Sequence, residues 1–388
     1  MRIVISGNTD TTLSNSLLSI LLISVIVGTL PINIPKLSEV FTGVFAIIGG
    51  FYVIVSRKWN NTILISLLFA TYLLLYSIST EGLRYFLLII AITTWIKFKN
   101  ENFLIWLEII VWYGIPSSIS QIYGGSPRVR GFLSSPPQFA CMLYVCQIYL
   151  LIFLFNNYKR GRYISKHRAF IILSESAICL WLIFLTGTRS IFLFSMLGFL
   201  YFIICYWYEN SVIIQKKIVR TLLLICISVI VILSANYLLD YYYYVQGRSI
   251  EGLKQSNLTR IALSSIVVQD IQDNPWMLLF GKGGGYVEAL IRTWRGTSGY
   301  TPVHQDFLLI LAEYGILGFI FTYYVLIKRH SAKWLILAMF IPMSFHNIIL
   351  NTKTMLLFSM VIAEVEFCGY RLTPRNREIR FMELRKKG

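Results

Sequence analysis

The sequence predicts an all-α, polytopic integral membrane protein of about 12 transmembrane helices with one large outer loop, periplasmic or extracellular. Its 388 residues are 56% hydrophobic and only 14% charged, whereas soluble domains carry about 25% charged residues. So little polar surface excludes a soluble enzyme. It also excludes a soluble nucleic-acid binder despite the net charge of +17, because basic residues on so apolar a chain indicate membrane orientation instead.

Apolar runs of about 20 residues, the length of a bilayer-crossing helix, recur along the chain. The alternating pattern of barrel strands, about ten residues each, is not seen, so helices are the predicted spanning elements. The candidate spans lie at residues 14–33, 37–55, 61–79, 82–96, 103–120, 136–156, 169–186, 190–208, 219–239, 304–327, 334–350 and 353–370.

Clusters of lysine and arginine between the spans set the predicted orientation, because cytoplasmic loops carry the excess of these residues. Placing the basic tail, residues 371–388, in the cytoplasm puts every short basic loop there as well. Both termini are therefore predicted to be cytoplasmic. The organisation that follows is nine helices in residues 1–239, the large outer loop in 240–303 and three helices in 304–370.

The large outer loop contains one predicted amphipathic helix. Apolar residues recur at helical spacing between Asn257 and Gln272, and the Asn274-Pro275 pair predicts that the helix ends before it. We expect this helix to lie on the membrane surface. The six cysteines all lie in apolar runs without paired ligand spacing, so neither a structural zinc nor redox chemistry is expected.

Arginines on the predicted outer side are candidate phosphate ligands, because membrane orientation does not explain them. A guanidinium group is always charged and binds phosphate oxygens in pairs. Arg130, Arg189 and Arg260 abut span ends beside small residues, so we expect them to bind a lipid diphosphate. The alternative is that each arginine reaches lipid headgroups or pairs with a carboxylate. Further candidates on the same side are Arg84, Arg128, Lys282, Arg292 and Arg295.

His304 is the candidate catalytic residue. It stands at the outer mouth of a predicted span, where a near-neutral imidazole can accept a proton from a sugar hydroxyl. The alternative role is an interfacial helix cap. His346 lies inside a predicted span, and there a satisfied core hydrogen bond is expected.

Several carboxyl groups fall within predicted spans. Glu313 follows His304 by nine residues on the same predicted helix, so it lies too deep to be a direct partner of the imidazole and is a candidate substrate-binding residue. The others could relay protons, pair with inward arginines or hydrogen-bond between helices. They are Glu108, Glu175, Glu364 and Glu366.

A glycine-rich run, Gly281-Lys-Gly-Gly-Gly285, stands in the outer loop. It lacks the spacing and the Ser/Thr of a P-loop and faces away from cytoplasmic ATP. It either presents backbone N–H groups to a phosphate or forms a flexible turn after residues 276–280.

The pattern around His304 resembles the signature of the O-antigen polymerase and O-antigen ligase superfamily. In that signature a polar residue follows the histidine, and a Gly-Ile/Leu-x-Gly motif comes after ten intervening residues, here Gly315-Ile-Leu-Gly318. Gln305 stands where asparagine is common. Other segments that resemble the family are Arg130-Gly131 with Pro136, Leu185-Thr186-x-Thr188-Arg189, and the stretch from Arg260 through Asn274-Pro275 to Gly281-x-Gly283-x-Gly285.

The resemblance implies an inverting glycosyltransferase without a metal or cofactor, in the bacterial inner membrane. Such an enzyme transfers a glycan from undecaprenyl diphosphate to an acceptor hydroxyl on the outer leaflet. By likeness, His304 activates the acceptor hydroxyl, while Arg130, Arg189 and Arg260 hold the diphosphate. The implied partners are the lipid-linked oligosaccharide and the bilayer, with a flippase and a chain-length regulator as further candidates and no nucleic acid.

Three other functions stay open at this point. A ligase that moves finished glycan onto the lipid A core uses the same chemistry as a polymerase of O-antigen or capsule. A transporter or flippase predicts repeat symmetry between the halves of the chain, which the sequence does not display. A passive scaffold predicts that neutralising Arg130 and Arg189 together has no effect.

Overall fold

A computed structural model of the chain describes residues 103–126, 128–133, 135–159, 164–210, 250–295, 305–327 and 352–367, with scattered positions between 16 and 90 and between 225 and 346. These residues form helices, turns and loops with no strand among them, which confirms the all-helical class. In chain order the helices are α1 (Phe103–Tyr123), α2 (Pro136–Lys159), α3 (Lys166–Leu185), α4 (Arg189–Asn210), α5 (Ile250–Asp273), α6 (Trp276–Phe280), α7 (Tyr286–Arg295), α8 (Asp306–Ile327) and α9 (Thr352–Phe367).

Three of these helices are long and apolar enough to cross a membrane: α1, the segment Pro136–Phe155 of α2, and α3. Shorter apolar helices run over Arg189–Ile203 in α4 and Lys353–Ile362 in α9. The total of about 12 spans stays a prediction. The basic tail and most of six predicted spans lie outside the described residues; those spans are 14–33, 37–55, 61–79, 82–96, 219–239 and 334–350.

Helix α2 lies at the centre of the membrane bundle and packs against α3, α4 and α9, while α1 packs against α3. Its residues from Phe139 to Cys146 are all buried, as expected of a helix that is apolar all round. Helix α3 instead buries one stripe that includes Ile172, Ser176 and Cys179. This spacing of three to four residues is that of a single helix face.

Helix α8 joins the membrane bundle to α5, α6 and α7, the loop helices. Ile310 and Tyr314 belong to the main core cluster, which contains the buried residues of α2 and α3. Leu309 and Ala312 belong to a second cluster, formed with the buried apolar residues of α5, α6 and α7. Within the described residues, α8 therefore contributes to both clusters.

Helix α5 lies where the sequence predicts an amphipathic helix, and it is longer than that prediction. It begins at Ile250 rather than near Asn257, and it ends at Asp273, directly before Asn274-Pro275 as expected. Leu263 and Val267 are buried in the second cluster. Leu258, Ile261 and Val268 are exposed, so an apolar face is left for the predicted contact with the membrane surface.

Candidate functional site

Arg189 is placed by the tight turn between α3 and α4. Gly187 has a φ of 64°, a left-handed conformation that glycine adopts without strain, and its N–H donates to the Phe184 carbonyl at 2.9 Å. The Thr186 hydroxyl accepts from the Thr188 N–H at 3.2 Å and donates to the Thr188 hydroxyl at 2.9 Å. These bonds set where α4 begins, and Arg189 is its first residue.

The loop between α1 and α2 docks on this turn through Arg128. The Arg128 Nε donates to the Thr186 carbonyl at 2.7 Å, and the Val129 N–H donates to the Leu185 carbonyl at 3.2 Å. Carbonyls at a helix C-terminus have no partner within the helix, and a cation there also opposes the negative end of the helix dipole. Arg128, a candidate phosphate ligand from the sequence, is thus used to cap α3.

Arg130 lies two residues further along the same loop, and its side chain is exposed. Gln121 of α1 holds the backbone on both sides of it: the Gln121 carbonyl oxygen accepts from the Arg130 N–H at 2.8 Å, and its amide donates to the Gly131 carbonyl. Within the described part of the chain no contact of the Arg130 guanidinium is found. Its backbone is fixed next to the turn that carries Arg189, and its guanidinium is open to a ligand.

A histidine outside the predicted site also reaches this turn. The Ser190 hydroxyl and His346 Nε2 are hydrogen-bonded at 3.0 Å, and His346 is only 4% exposed. This agrees with the core hydrogen bond expected for His346. The sequence contained no signal for its partner, because 156 residues separate the two in the chain.

The glycine-rich run packs directly on the backbone of α8. The Lys282 N–H donates to the Ala312 carbonyl at 3.1 Å, and the Gly283 N–H donates to the Glu313 carbonyl at 2.8 Å. A Cβ on Gly281 would lie 2.3 Å from the Glu313 carbonyl. These N–H groups are therefore satisfied by α8, which favours a packing role for the run over a phosphate cradle.

The side chain of Glu313 strengthens this contact between the glycine-rich run and α8. Its Oε1 accepts from the Gly285 N–H at 3.0 Å and from the Val287 N–H at 3.3 Å, at the N-terminus of α7. The side chain is only 3% exposed. The first N–H groups of a helix have no partner within it, and an acidic group there also complements the helix dipole. Glu313 thus caps α7 and fixes it to α8.

Replacing Glu313 by leucine is expected to destabilise the protein by about 1–3 kcal/mol, because buried N–H groups lose their acceptor. Glu313→Gln keeps a carbonyl oxygen and should cost less. Thermal unfolding of the detergent-purified variants measures both. Glu288→Leu is the control, since its surface pair with Arg292 contributes at most about 1 kcal/mol. Equal unfolding temperatures for Glu313→Leu and wild type would contradict the capping role.

Lys282 belongs to a polar cluster on the surface of the loop helices. Its Nζ lies 3.0 Å from the Tyr286 hydroxyl and 3.5 Å from Asp270 Oδ1, and the Tyr286 hydroxyl donates to Asp270 Oδ2 at 2.7 Å. The hydrogen bond to Tyr286, together with the charge of Asp270, raises the pKa of Lys282. Lys282 is therefore a cation held by α5 and α7.

The remaining loop arginines belong to α5 and α7. Arg260 of α5 is half-buried and shares a helix face with Leu263 and Val267, so it lies on the side of α5 that packs on the other loop helices. Arg292 pairs with Glu288 one turn earlier in α7, and Arg295 is exposed at the end of that helix. Arg84 and His304 lie outside the described residues.

Two of the carboxyl groups within predicted spans pair between helices. Glu108 of α1 forms a salt bridge with Arg168 of α3. The Trp112 indole N–H donates to Glu175 Oε1 at 2.8 Å. Glu108 therefore pairs with an arginine, and Glu175 hydrogen-bonds between helices. Both were among the roles that the sequence left open. Glu364 is also buried, and the side chain of Glu366 lies outside the described part.

Comparison with known proteins bears on the same region. Residues 176–323 match the family described as O-antigen ligase, which confirms the resemblance to the O-antigen ligase and polymerase superfamily. The matched segment runs from the middle of α3 into α8 and contains Arg189, Arg260 and His304, but neither Arg84 nor Arg130. No individual curated protein matches the chain.

Proposed function

We propose that this protein is a membrane polysaccharide polymerase, which transfers a glycan from undecaprenyl diphosphate to a hydroxyl of a second lipid-linked repeat unit. One observation carries the proposal: the loop of Arg130 is docked on the turn of Arg189 through the Arg128 and Val129 hydrogen bonds. Two guanidinium-bearing segments far apart in the chain are thereby held together. The match to the O-antigen ligase family at residues 176–323 supports the same reaction class.

In the proposed step, His304 accepts the proton of the acceptor hydroxyl while its oxygen bonds to the anomeric carbon from the side opposite the leaving group. The bond from the anomeric carbon to the diphosphate breaks, and undecaprenyl diphosphate leaves with the electron pair. Arg130, Arg189 and Arg260 would balance the negative charge that grows on it. Hydrogen-bond donors that are in place before the reaction are expected to contribute most to stabilising the charge on the leaving diphosphate.

The loop helices would place the acceptor side of this site. Helix α8 begins two residues after His304, and it is packed against the glycine run, α5 and α7. Because Arg260 lies on the packed face of α5, it would approach the start of α8 rather than the bulk solvent. In this proposal all of these groups face the outer leaflet, and both termini are cytoplasmic.

Purified protein in liposomes tests the proposal. Given lipid-linked repeat units, but neither a nucleotide sugar nor an ion gradient, it is expected to form polymer longer than two repeats. A transporter would only redistribute the substrate between leaflets. Combined Arg130→Ala and Arg189→Ala substitution is expected to stop polymer formation, and full activity of this variant would contradict the role of the two guanidinium groups. A passive scaffold would form no polymer even as wild-type protein.

A ligase that uses the same residues is the alternative within this chemistry. The products that accumulate in a deletion strain separate the two. Loss of the polymerase leaves single repeats on the acceptor, whereas loss of a ligase leaves long unattached chains on the lipid carrier. The proposal also includes an inner-membrane location and contacts with a flippase and a chain-length regulator. It divides the chain into domains at 1–239, 240–303, 304–370 and 371–388.

A further inference from the structure

We infer that His346 is a positioning residue of the diphosphate site and acts through Ser190 on Arg189. The inference rests on the proposed function. It starts from the 3.0 Å hydrogen bond between the Ser190 hydroxyl and His346 Nε2, in which the imidazole is almost completely buried. Ser190 directly follows Arg189 at the start of α4.

The turn before Ser190 is held from two directions. From one side, Arg128 donates to the Thr186 carbonyl, and its guanidinium also lies 3.4 Å from the Thr188 hydroxyl. From the other side, His346 bonds to Ser190. These contacts come from the α1–α2 loop and from a segment near the end of the chain, so two distant parts of the sequence converge on the five residues around Arg189.

The predicted topology independently places His346 at the same level as Arg189. The span at 334–350 would run outward from the basic loop that contains Lys333, so His346 would lie near its outer end. The α3–α4 turn would also be at the outer end of its spans. Met343 and Met339, which precede His346, are buried in the main core cluster and anchor the segment to the bundle.

A fixed first turn of α4 matters because binding of a diphosphate depends on where the guanidinium is held before the substrate arrives. An arginine side chain loses much rotamer freedom when it is ordered, and a rigid attachment point lowers that cost. A buried imidazole hydrogen-bonded to the adjacent serine supplies such a point. His346 therefore positions Arg189 without touching the substrate.

The chain offers a matched pair of variants. Glutamine extends to the position of Nε2 and can still bond to Ser190, whereas asparagine reaches only the position of Nδ1. Binding of farnesyl diphosphate to purified protein in nanodiscs is the measurement. We expect His346→Asn and Ser190→Ala to weaken binding about tenfold, the effect of one good hydrogen bond, while His346→Gln stays close to wild type.

Ser265→Ala is the control, because Ser265 donates only to the Ala262 carbonyl within α5. Ser190→Ala removes a single oxygen atom, so it tests the inference even if His346→Asn yields too little folded protein. Unchanged farnesyl diphosphate binding by folded Ser190→Ala, with or without a lower unfolding temperature, would overturn the positioning role. Wild-type protein that binds no diphosphate would instead contradict the proposed function itself.

Discussion

Substitution of His304 by alanine is expected to lower the rate of polymer formation by about 10²–10⁴-fold, the usual contribution of a general base. An imidazole is neutral and basic near pH 7, so it can take the proton of the acceptor hydroxyl as the new bond forms. In its absence, water must accept that proton. The liposome assay with lipid-linked repeats measures the effect as the initial rate of polymer formation.

His167→Ala is the matched control for this experiment. His167 is exposed at the start of α3, on the side predicted to be cytoplasmic, and no contact with the proposed site is found for it in the described part of the chain. Its loss should leave the rate within a factor of about two. The general-base role of His304 is wrong if folded His304→Ala protein retains more than about a tenth of the wild-type rate.

Replacing Gly315 by alanine is expected to prevent the loop helices from packing on α8. Gly315 interrupts α8 with a φ of 67° and a ψ of −172°, a conformation that costs other residues about 1–3 kcal/mol. In addition, a Cβ at this position would lie 2.3 Å from the Leu279 carbonyl oxygen. Strain and collision act together, so we expect a strongly lowered unfolding temperature and little folded protein.

Gly281→Ala should have a similar effect, since its Cβ would collide with the Glu313 backbone from the other side. Because both glycines serve one contact, the double variant should be less destabilised than the sum of the single variants. Gly198→Ala is the control: a Cβ added to this residue of α4 would meet no atom within 4 Å, so alanine should be neutral or mildly stabilising. Wild-type stability of Gly315→Ala would contradict the proposed contact.

The proposed reaction requires the contact that Gly281 and Gly315 allow between the loop helices and α8, and this requirement can be tested. If the loop helices dock on α8 to place Arg260 near His304, then Gly315→Ala protein that does fold should lose activity with His304 intact. The effects of Gly315→Ala and Glu313→Leu on stability should also be non-additive, because Gly315 contacts α6, Glu313 caps α7, and both contacts dock the loop helices on the same part of α8.

Local sequence patterns predicted those features of the protein that depend on neighbouring residues. Runs of about 20 apolar residues predicted α1, α2 and α3 almost to their ends. The Asn274-Pro275 pair predicted the end of α5, because proline cannot continue the hydrogen-bond pattern of a helix. The start of α5 was predicted too late, since the polar residues near its beginning weaken the apolar periodicity without preventing a helix.

The roles of individual polar residues were decided by contacts that no local pattern encodes. Arg128 was a candidate phosphate ligand, yet its Nε bonds to a carbonyl 58 residues further along the chain. Glu313 was a candidate substrate-binding residue, yet its carboxyl group caps a helix that precedes it by 26 residues. Both have the charge that the site would need, so composition and spacing did not distinguish the two uses.

By itself, the sequence determined that this chain is an α-helical membrane protein and showed a resemblance to the O-antigen ligase and polymerase superfamily, because apolar run length and motif order are properties of consecutive residues. Only the tertiary structure decided that N–H groups of the glycine run bond to the backbone of α8, and that His346 reaches the turn of Arg189. The physical reason is that a backbone N–H or an imidazole bonds to whichever acceptor or donor the packing of distant helices brings within about 3 Å.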